Sequence, residues 1–469
     1  MTSLLNLPVT VLMDTFELLC QHCYPTARNH LFPDYSLRGC HCNYACDLGP
    51  HDPSSRVALA NLCCTNKFLS AIATPILYHL AYYPDINYPE DQITAFYRTM
   101  LVERPDLCQH VRSIHLLEKD LDSLPSELVE AIKERFGIVT FTLPEDASLV
   151  PLDSGYSSSL SGHRMSLPML LTRGCIGLQE LCLVVDFMDD IIGCIPLKIL
   201  PRLKTLIITM DESENQLDTP RLQTISLASP SLGVLTISGL TFFLPSKNWA
   251  NLRELTLISS CLDIHVVKLL LQECPVLESF AYEMEVYDER PLDSPHTYPC
   301  DLVRAISEHT SKTLRSLNLN LRHFWSGWYF DEPAEAMGNF RSLKSLEHLE
   351  VGLESLLGNT SMEDDQDKVL CLFSWTLPAR IHSVTIEASR EVDSRLLGLT
   401  LDYLTKVCSE EFPELETIVV RGTYSGFKLA GVSELISSFG ESGVSLELRH
   451  EPALVEQSSG DQTQVLEQE

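Results

Sequence analysis

The sequence predicts an α/β protein, in which a short N-terminal helical module is followed by an irregular solenoid with parallel strands on one face and helices and loops on the other. Three observations predict it. An apolar-x-x-apolar-x-apolar hexapeptide recurs ten times between residues 111 and 420. Segments of helical period lie between the copies. Ahead of the first copy the pattern changes to short helical stripes, interrupted by proline and by a run of cysteines and histidines.

The N-terminal module comes first in the chain. In LNLPVTVLMDTFELLC, Pro8 suits the start of a helix because its missing N–H has no intrahelical partner there, and Val9, Leu12, Phe16 and Leu19 then share one side. Cys20 and Cys23 continue that stripe, which points them into a core. Residues 56–83, RVALANLCCTNKFLSAIATPILYHLAYY, read as two short helices. Leu59, Leu62 and Cys63 mark the first and Leu69, Ile72 and Ala73 the second, with Pro75 breaking the pattern before Ile76-Leu77-Tyr78. The module spans 1–85 with a Cys/His-rich insertion at about 20–55, and a linking helix follows at 86–104.

The repeats occupy 105–449. Their copies are VRSIHL (111–116), LQELCL (178–183), LKTLII (203–208), LGVLTI (232–237), LRELTL (252–257), LESFAY (277–282), LRSLNL (314–319), LEHLEV (346–351), IHSVTI (381–386) and LETIVV (415–420). From residue 178 onward successive copies begin 20 to 37 residues apart, room for one strand and a returning helix or loop. Within a copy, residues two apart such as Leu255 and Leu257 face one side of a strand and Thr256 faces the other. In DIHVVKLLLQEC, Val266, Leu269, Leu270 and Cys274 form a helical stripe that Pro275 ends. CIGLQELCL, CPVLESF and FPELETI carry Cys or Pro two or three residues ahead of the copy. This resembles the cysteine-containing leucine-rich repeat. The usual Asn or Cys after the strand is mostly missing, and an extra LQTISL (222–227) crowds LGVLTI, so the repeat is irregular. Loops are expected at 144–167, 283–300 and 323–338, and a polar, disordered tail at 450–469.

Composition excludes several classes of function. With 34 basic against 64 acidic residues and a net charge of −30, the chain repels nucleic-acid phosphates and anionic membranes. The first twenty residues lack a basic start and carry Asp14 and Glu17, unlike a signal peptide, and no apolar run is long enough to span a bilayer. Sixteen cysteines are then expected as reduced thiols in the cytoplasm or nucleus. No phosphate loop, dinucleotide fingerprint, H-E-x-x-H or G-x-S-x-G is present, and no catalytic activity is expected.

Leu-Pro at the start of a helix, then a Leu, Cys and aromatic helix ending Ala-x-Pro-Ile-Leu-Tyr-His, resembles the F-box of filamentous-fungal F-box proteins with leucine-rich repeats. The Cys/His stretch between the first helix and the rest departs from that family. The resemblance implies a non-catalytic substrate-recognition subunit of a Skp-cullin-F-box E3 ubiquitin ligase. Leu7, Pro8, Val11, Leu12, Leu59, Leu62, Phe68, Ile76 and Leu77 would dock on the Skp adaptor, and through it on a cullin. An unidentified protein substrate would meet strand residues that alternate with the core: Thr256, Asn318, Asn320, Glu350, Thr385, Glu387 and Arg421. HFWSGWYF adds Trp325, Trp328 and Tyr329, residue types that dominate binding hot spots. The alternative is a leucine-rich-repeat scaffold outside ubiquitin transfer, with a divergent F-box.

Two further motifs are weighed against this reading. Cys20-x2-Cys23 followed by Cys40-x-Cys42-x3-Cys46 approaches zinc-ligand spacing. Because Cys20 and Cys23 phase with the first helix, the expectation is a cysteine-rich insertion without a cofactor. Zinc is the alternative, and it requires that helix to end early. DSGYSS (153–158) resembles a phosphodegron, with Ser154 and Ser158 as phosphate acceptors, although such motifs arise readily in serine-rich loops.

Overall fold

The computed structural model describes residues 4–20, 23, 53–82, 90–117, 124–136, 171–172, 174–185, 200–210, 229–240, 249–284, 298–321, 338–357, 373, 376–388, 391–422 and 431–450. The chain divides into two compact units, Met1–Leu262 with Gln272–Val276, and Asp263–Leu271 with Leu277–Glu469.

The first unit opens with helices α1 (Val9–Glu17), α2 (Pro53–Thr65) and α3 (Lys67–Leu77). Asn66 starts α3 by accepting the Leu69 N–H at 2.9 Å. Contrary to the expectation from sequence, α3 continues through Pro75. Proline there stands two residues from the helix end, where one lost backbone bond is tolerated. The strand β1 (Leu80–Tyr82) follows at once, inside the segment assigned to the helical module. The linking helix is observed as α4 (Glu90–Tyr97), prolonged by a π-helical turn at Arg98–Glu103 and a 3-10 helix at Pro105–His110. Then come β2 (Ser113–Leu117), α5 (Ser126–Phe136), β3 (Glu180–Val185), β4 (Thr205–Met210), β5 (Val234–Ser238) and β6 (Glu254–Ser260). β1 to β6 pair in chain order, every pair parallel.

The second unit begins with α6 (Ile264–Gln272), whose buried side is Val267, Leu270 and Leu271. The stripe lies one residue round from the expected one: Leu269 is exposed and Val266 half-buried. β7 (Ser279–Met284), α7 (Pro299–Thr310), β8 (Ser316–Asn320), β9 (His348–Gly352), α8 (Leu353–Leu357), β10 (Ser383–Ala388), α9 (Glu391–Glu411), β11 (Thr417–Gly422), α10 (Val432–Glu441) and β12 (Ser445–His450) complete it. β7 to β12 again pair in chain order and in parallel. The result is an α/β architecture of sequential parallel strands, as a repeat array requires. LQTISL, the loop at 144–167 and nearly all of the loops at 283–300 and 323–338 and of the tail lie outside the described residues.

The ten hexapeptides coincide with β2 to β11. From Leu178 to Val420 every first, fourth and sixth position of a copy is buried. In eight repeats the N–H of position 1 donates to the carbonyl three residues earlier at 3.0 to 3.2 Å, a tight turn that ends the returning segment and aims the strand. The carbonyl of position 2 then accepts two N–H groups of the next repeat. His79, Arg112, Gln179, Lys204 and Gly233 do so in the first unit and Glu278, Arg315, Glu347 and His382 in the second, at 2.7 to 3.2 Å. The backbone thus fixes the register that the apolar triplet fills.

Replacing Leu257 by Ala removes a fully buried position-6 side chain and should lower stability by about 2–5 kcal/mol. Thr256→Ala, on the opposite side of β6, should cost no more than about 1 kcal/mol. Urea unfolding of both variants under one set of conditions checks the contrast.

Candidate functional site

α1 and α3 enclose a small core with α2: Leu12, Phe16, Cys20, Leu59, Leu69, Ile72, Ala73 and Ile76, flanked by Leu19, Cys23, Leu62, Cys63 and Leu77. This core divides the residues expected on the adaptor surface. Leu12, Leu59 and Ile76 are interior and hold the module together, which corrects their assignment, while Leu62 and Leu77 are half-buried against it. Leu7, Pro8, Val11 and Phe68 are exposed. Val9, expected inward with Leu12 and Phe16, is also exposed, because the first turn of α1 extends past the core. Of the fourteen large apolar residues exposed among the described ones, eight fall before residue 69: Leu5, Leu7, Val9, Val11, Met13, Leu18, Val57 and Phe68.

The end of α1 also departs from the expected course. The helix stops at Glu17 and does not carry its stripe through the cysteines. Tight turns follow, with Leu19 N–H donating to Phe16, Cys20 to Glu17 and Cys23 to Cys20, each at 3.0 Å. They fold the chain back over the start of the sheet. Cys20 Sγ comes to 3.9 Å and Cys23 Sγ to 3.3 Å from His79 Nδ1. All three ligand atoms lie within 4.8 Å of one another. Neither cysteine is in a disulfide. The hydrogen bond to Cys20, together with burial, pushes the Cys23 thiol well above its ordinary range, and Glu17 adds to the effect.

His79 is held on both sides by its backbone. Its N–H donates to Ile76 O at 3.2 Å, and its carbonyl accepts from Arg112 and Ser113 at 2.8 and 2.9 Å. By register with β2 it is position 2 of an additional first repeat, YHLAYY. In the later repeats position 2 (Arg112, Gln179, Lys204, Gly233, Arg253, Glu278, Arg315, Glu347, His382, Glu416) is exposed or half-buried. His79 is only 3% exposed. Sequence spacing gave no sign of it as a cysteine partner, since 59 residues separate it from Cys20. Cys40, Cys42 and Cys46 lie outside the described residues.

The strand residues expected to meet a substrate fall into two rows. Position 5 carries Thr256, which stands beside Thr236 in the first unit, and the file Asn318, Glu350 and Thr385 in the second. All four expected residues are half-buried. Position 7 carries Asn320, Glu387 and Arg421, which are 5, 8 and 7% exposed. These three were expected to face solvent, and the structure buries them instead. Strand alternation sets which side a residue faces, but neighbouring repeats cover that side at the far end of the strands. Arg421 is opposite Glu387 in register, and its Nη1 donates to Glu350 Oε1. Trp325, Trp328 and Tyr329 lie outside the described residues. Among the described residues no helix is long and apolar enough to cross a membrane.

Compared with protein-family models and with curated proteins, the sequence matches none.

The guanidinium of Arg421 is nearly enclosed and the carboxylate of Glu350 about a quarter exposed. Removing one partner should therefore cost more than breaking a surface pair, which is worth about 0–1 kcal/mol. A double-mutant cycle of Glu350→Gln and Arg421→Gln in chemical unfolding should return a coupling above about 1 kcal/mol. A coupling near zero would mean that the two side chains are stabilised independently.

Proposed function

We propose that the chain is the substrate-recognition subunit of a Skp-cullin-F-box ubiquitin ligase, with the N-terminal helices docking on the Skp adaptor and the repeats holding a protein substrate. One observation carries the reading: the helical module has its own core yet leaves Leu7, Val9, Val11, Met13 and Phe68 in solvent. Apolar residues concentrated on so short a stretch mark an interaction surface. A module of three helices has little interior volume, so part of its apolar surface is left for a partner to cover.

In this role the chain does no bond chemistry. It raises the local concentration of a substrate lysine beside a ubiquitin-charged partner. The substrate side falls to half-buried polar strand residues, Thr256 in the first unit and the file Asn318, Glu350 and Thr385 in the second. The buried Arg421 orients Glu350 of that file through its hydrogen bond.

Co-purification with a Skp adaptor tests the reading. The full-length chain should capture the adaptor, and the double variant Val11→Asp/Phe68→Asp, exposed in the free protein, should lose capture while keeping the far-UV circular dichroism of the parent. A parent chain that captures no adaptor would leave a repeat scaffold outside ubiquitin transfer.

A further inference from the structure

We propose that Cys20, Cys23 and His79 form a zinc-binding site, with two thiolate ligands and one imidazole nitrogen. The inference is independent of adaptor docking, since neither requires the other.

Geometry gives the first argument. Zinc bonds of about 2.3 Å to sulfur and 2.0–2.1 Å to nitrogen, in a tetrahedron, set sulfur and nitrogen ligands about 3.6 Å apart. The two sulfur-to-nitrogen distances are 3.9 and 3.3 Å, on either side of that value. The third separation, sulfur to sulfur, is within 4.8 Å, and tetrahedral coordination needs about 3.8 Å. The donors therefore bracket one ion with shifts of a few tenths of an ångström to one ångström.

The donor set gives the second. Soft thiolates with an imidazole favour zinc over magnesium, calcium or manganese, which take oxygen ligands. Three protein donors fill three corners of the tetrahedron, and the fourth falls to water or a further donor.

Placement gives the third. His79 stands at the repeat position that is otherwise exposed or half-buried, and the turns after α1 enclose it with the cysteines. Its backbone is held on both sides by hydrogen bonds, so its Cα stands at a fixed place beside the cysteines. A Cys-x2-Cys pair meeting an enclosed imidazole from 56 residues away is the arrangement of two ligand-bearing segments closing on an ion. Without a metal, the same contact is a hydrogen-bonded thiol and imidazole cluster in a core, and the two cases differ in metal content.

The full-length protein, expressed with added zinc and purified without chelator, should contain about one zinc per chain by elemental analysis. Cys23→Ser and His79→Gln should each lose most of it. Cobalt(II) added to the chelator-stripped parent should give the near-ultraviolet thiolate-to-cobalt band and the visible bands of a tetrahedral site, and Cys23→Ser should weaken the former. If either variant fails to fold, the stripped parent still decides: zinc should restore the metal stoichiometry and raise its thermal midpoint. The proposal is overturned by less than about half an equivalent in zinc-replete parent protein, by cobalt spectra without a thiolate band, or by metal that persists undiminished in both variants.

Discussion

The ladder in which one carbonyl takes two N–H groups from the following repeat governs the rest of the structure. A strand in a parallel sheet cannot turn back on itself, so each needs a returning segment, and each return must deliver its strand at the same height. The tight turn ahead of position 1 and the shared carbonyl at position 2 do this through the backbone alone. Side chains at positions 1, 4 and 6 are then required only to be apolar and to fit. This is why Leu, Ile, Val, Phe and Tyr all serve at those positions, and why the returning segments differ so much in length.

That division of labour explains what was legible in the sequence. A side chain forced inward at three fixed offsets leaves a visible pattern, and β2 to β11 follow from it. β1 and β12 escape because the terminal repeats relax the pattern: Ala81 takes the position-4 place in the first, and Gly443 the position-1 place in the last. The residue three ahead of position 1 was legible only where it is the Cys of CIGLQELCL and CPVLESF. It is buried in nearly every repeat, but it is Cys108, Cys175, Leu200, Ser229, Trp249, Cys274, Leu343, Pro378 or Phe412, so the burial is constant while the chemistry is not. Gly174 answers to the same site, since a Cβ there would stand 2.8 Å from Cys108 Cβ.

Surface residues were harder to place, for a physical reason. Alternation decides which side of a strand a residue faces, but not how far its neighbours cover it. Thr256, Asn318, Glu350 and Thr385 remain partly open, whereas Asn320, Glu387 and Arg421, two residues further along their strands, are enclosed. In the helical module the same limit applies to apolar residues. Leu12 and Val11 are adjacent and alike in sequence, yet one is core and the other is in solvent, because the core is only wide enough for one flank of α1.

The Cys20, Cys23 and His79 cluster is where these two modes of construction meet. The carbonyl of His79 opens the backbone ladder, and its ring meets the sulfurs that follow α1. One residue thus belongs to the rigid, repeat-determined part and to the small helical core at once. A change at the sulfurs acts on a ring whose backbone already carries the first rung, so it reaches the start of the sheet without a long path through packed side chains. The reverse also holds. Because the His79 backbone carries the first rung while its ring meets Cys20 and Cys23, the C-terminal end of α1 is tied to the start of the sheet, although the first turns of α1 stand in solvent.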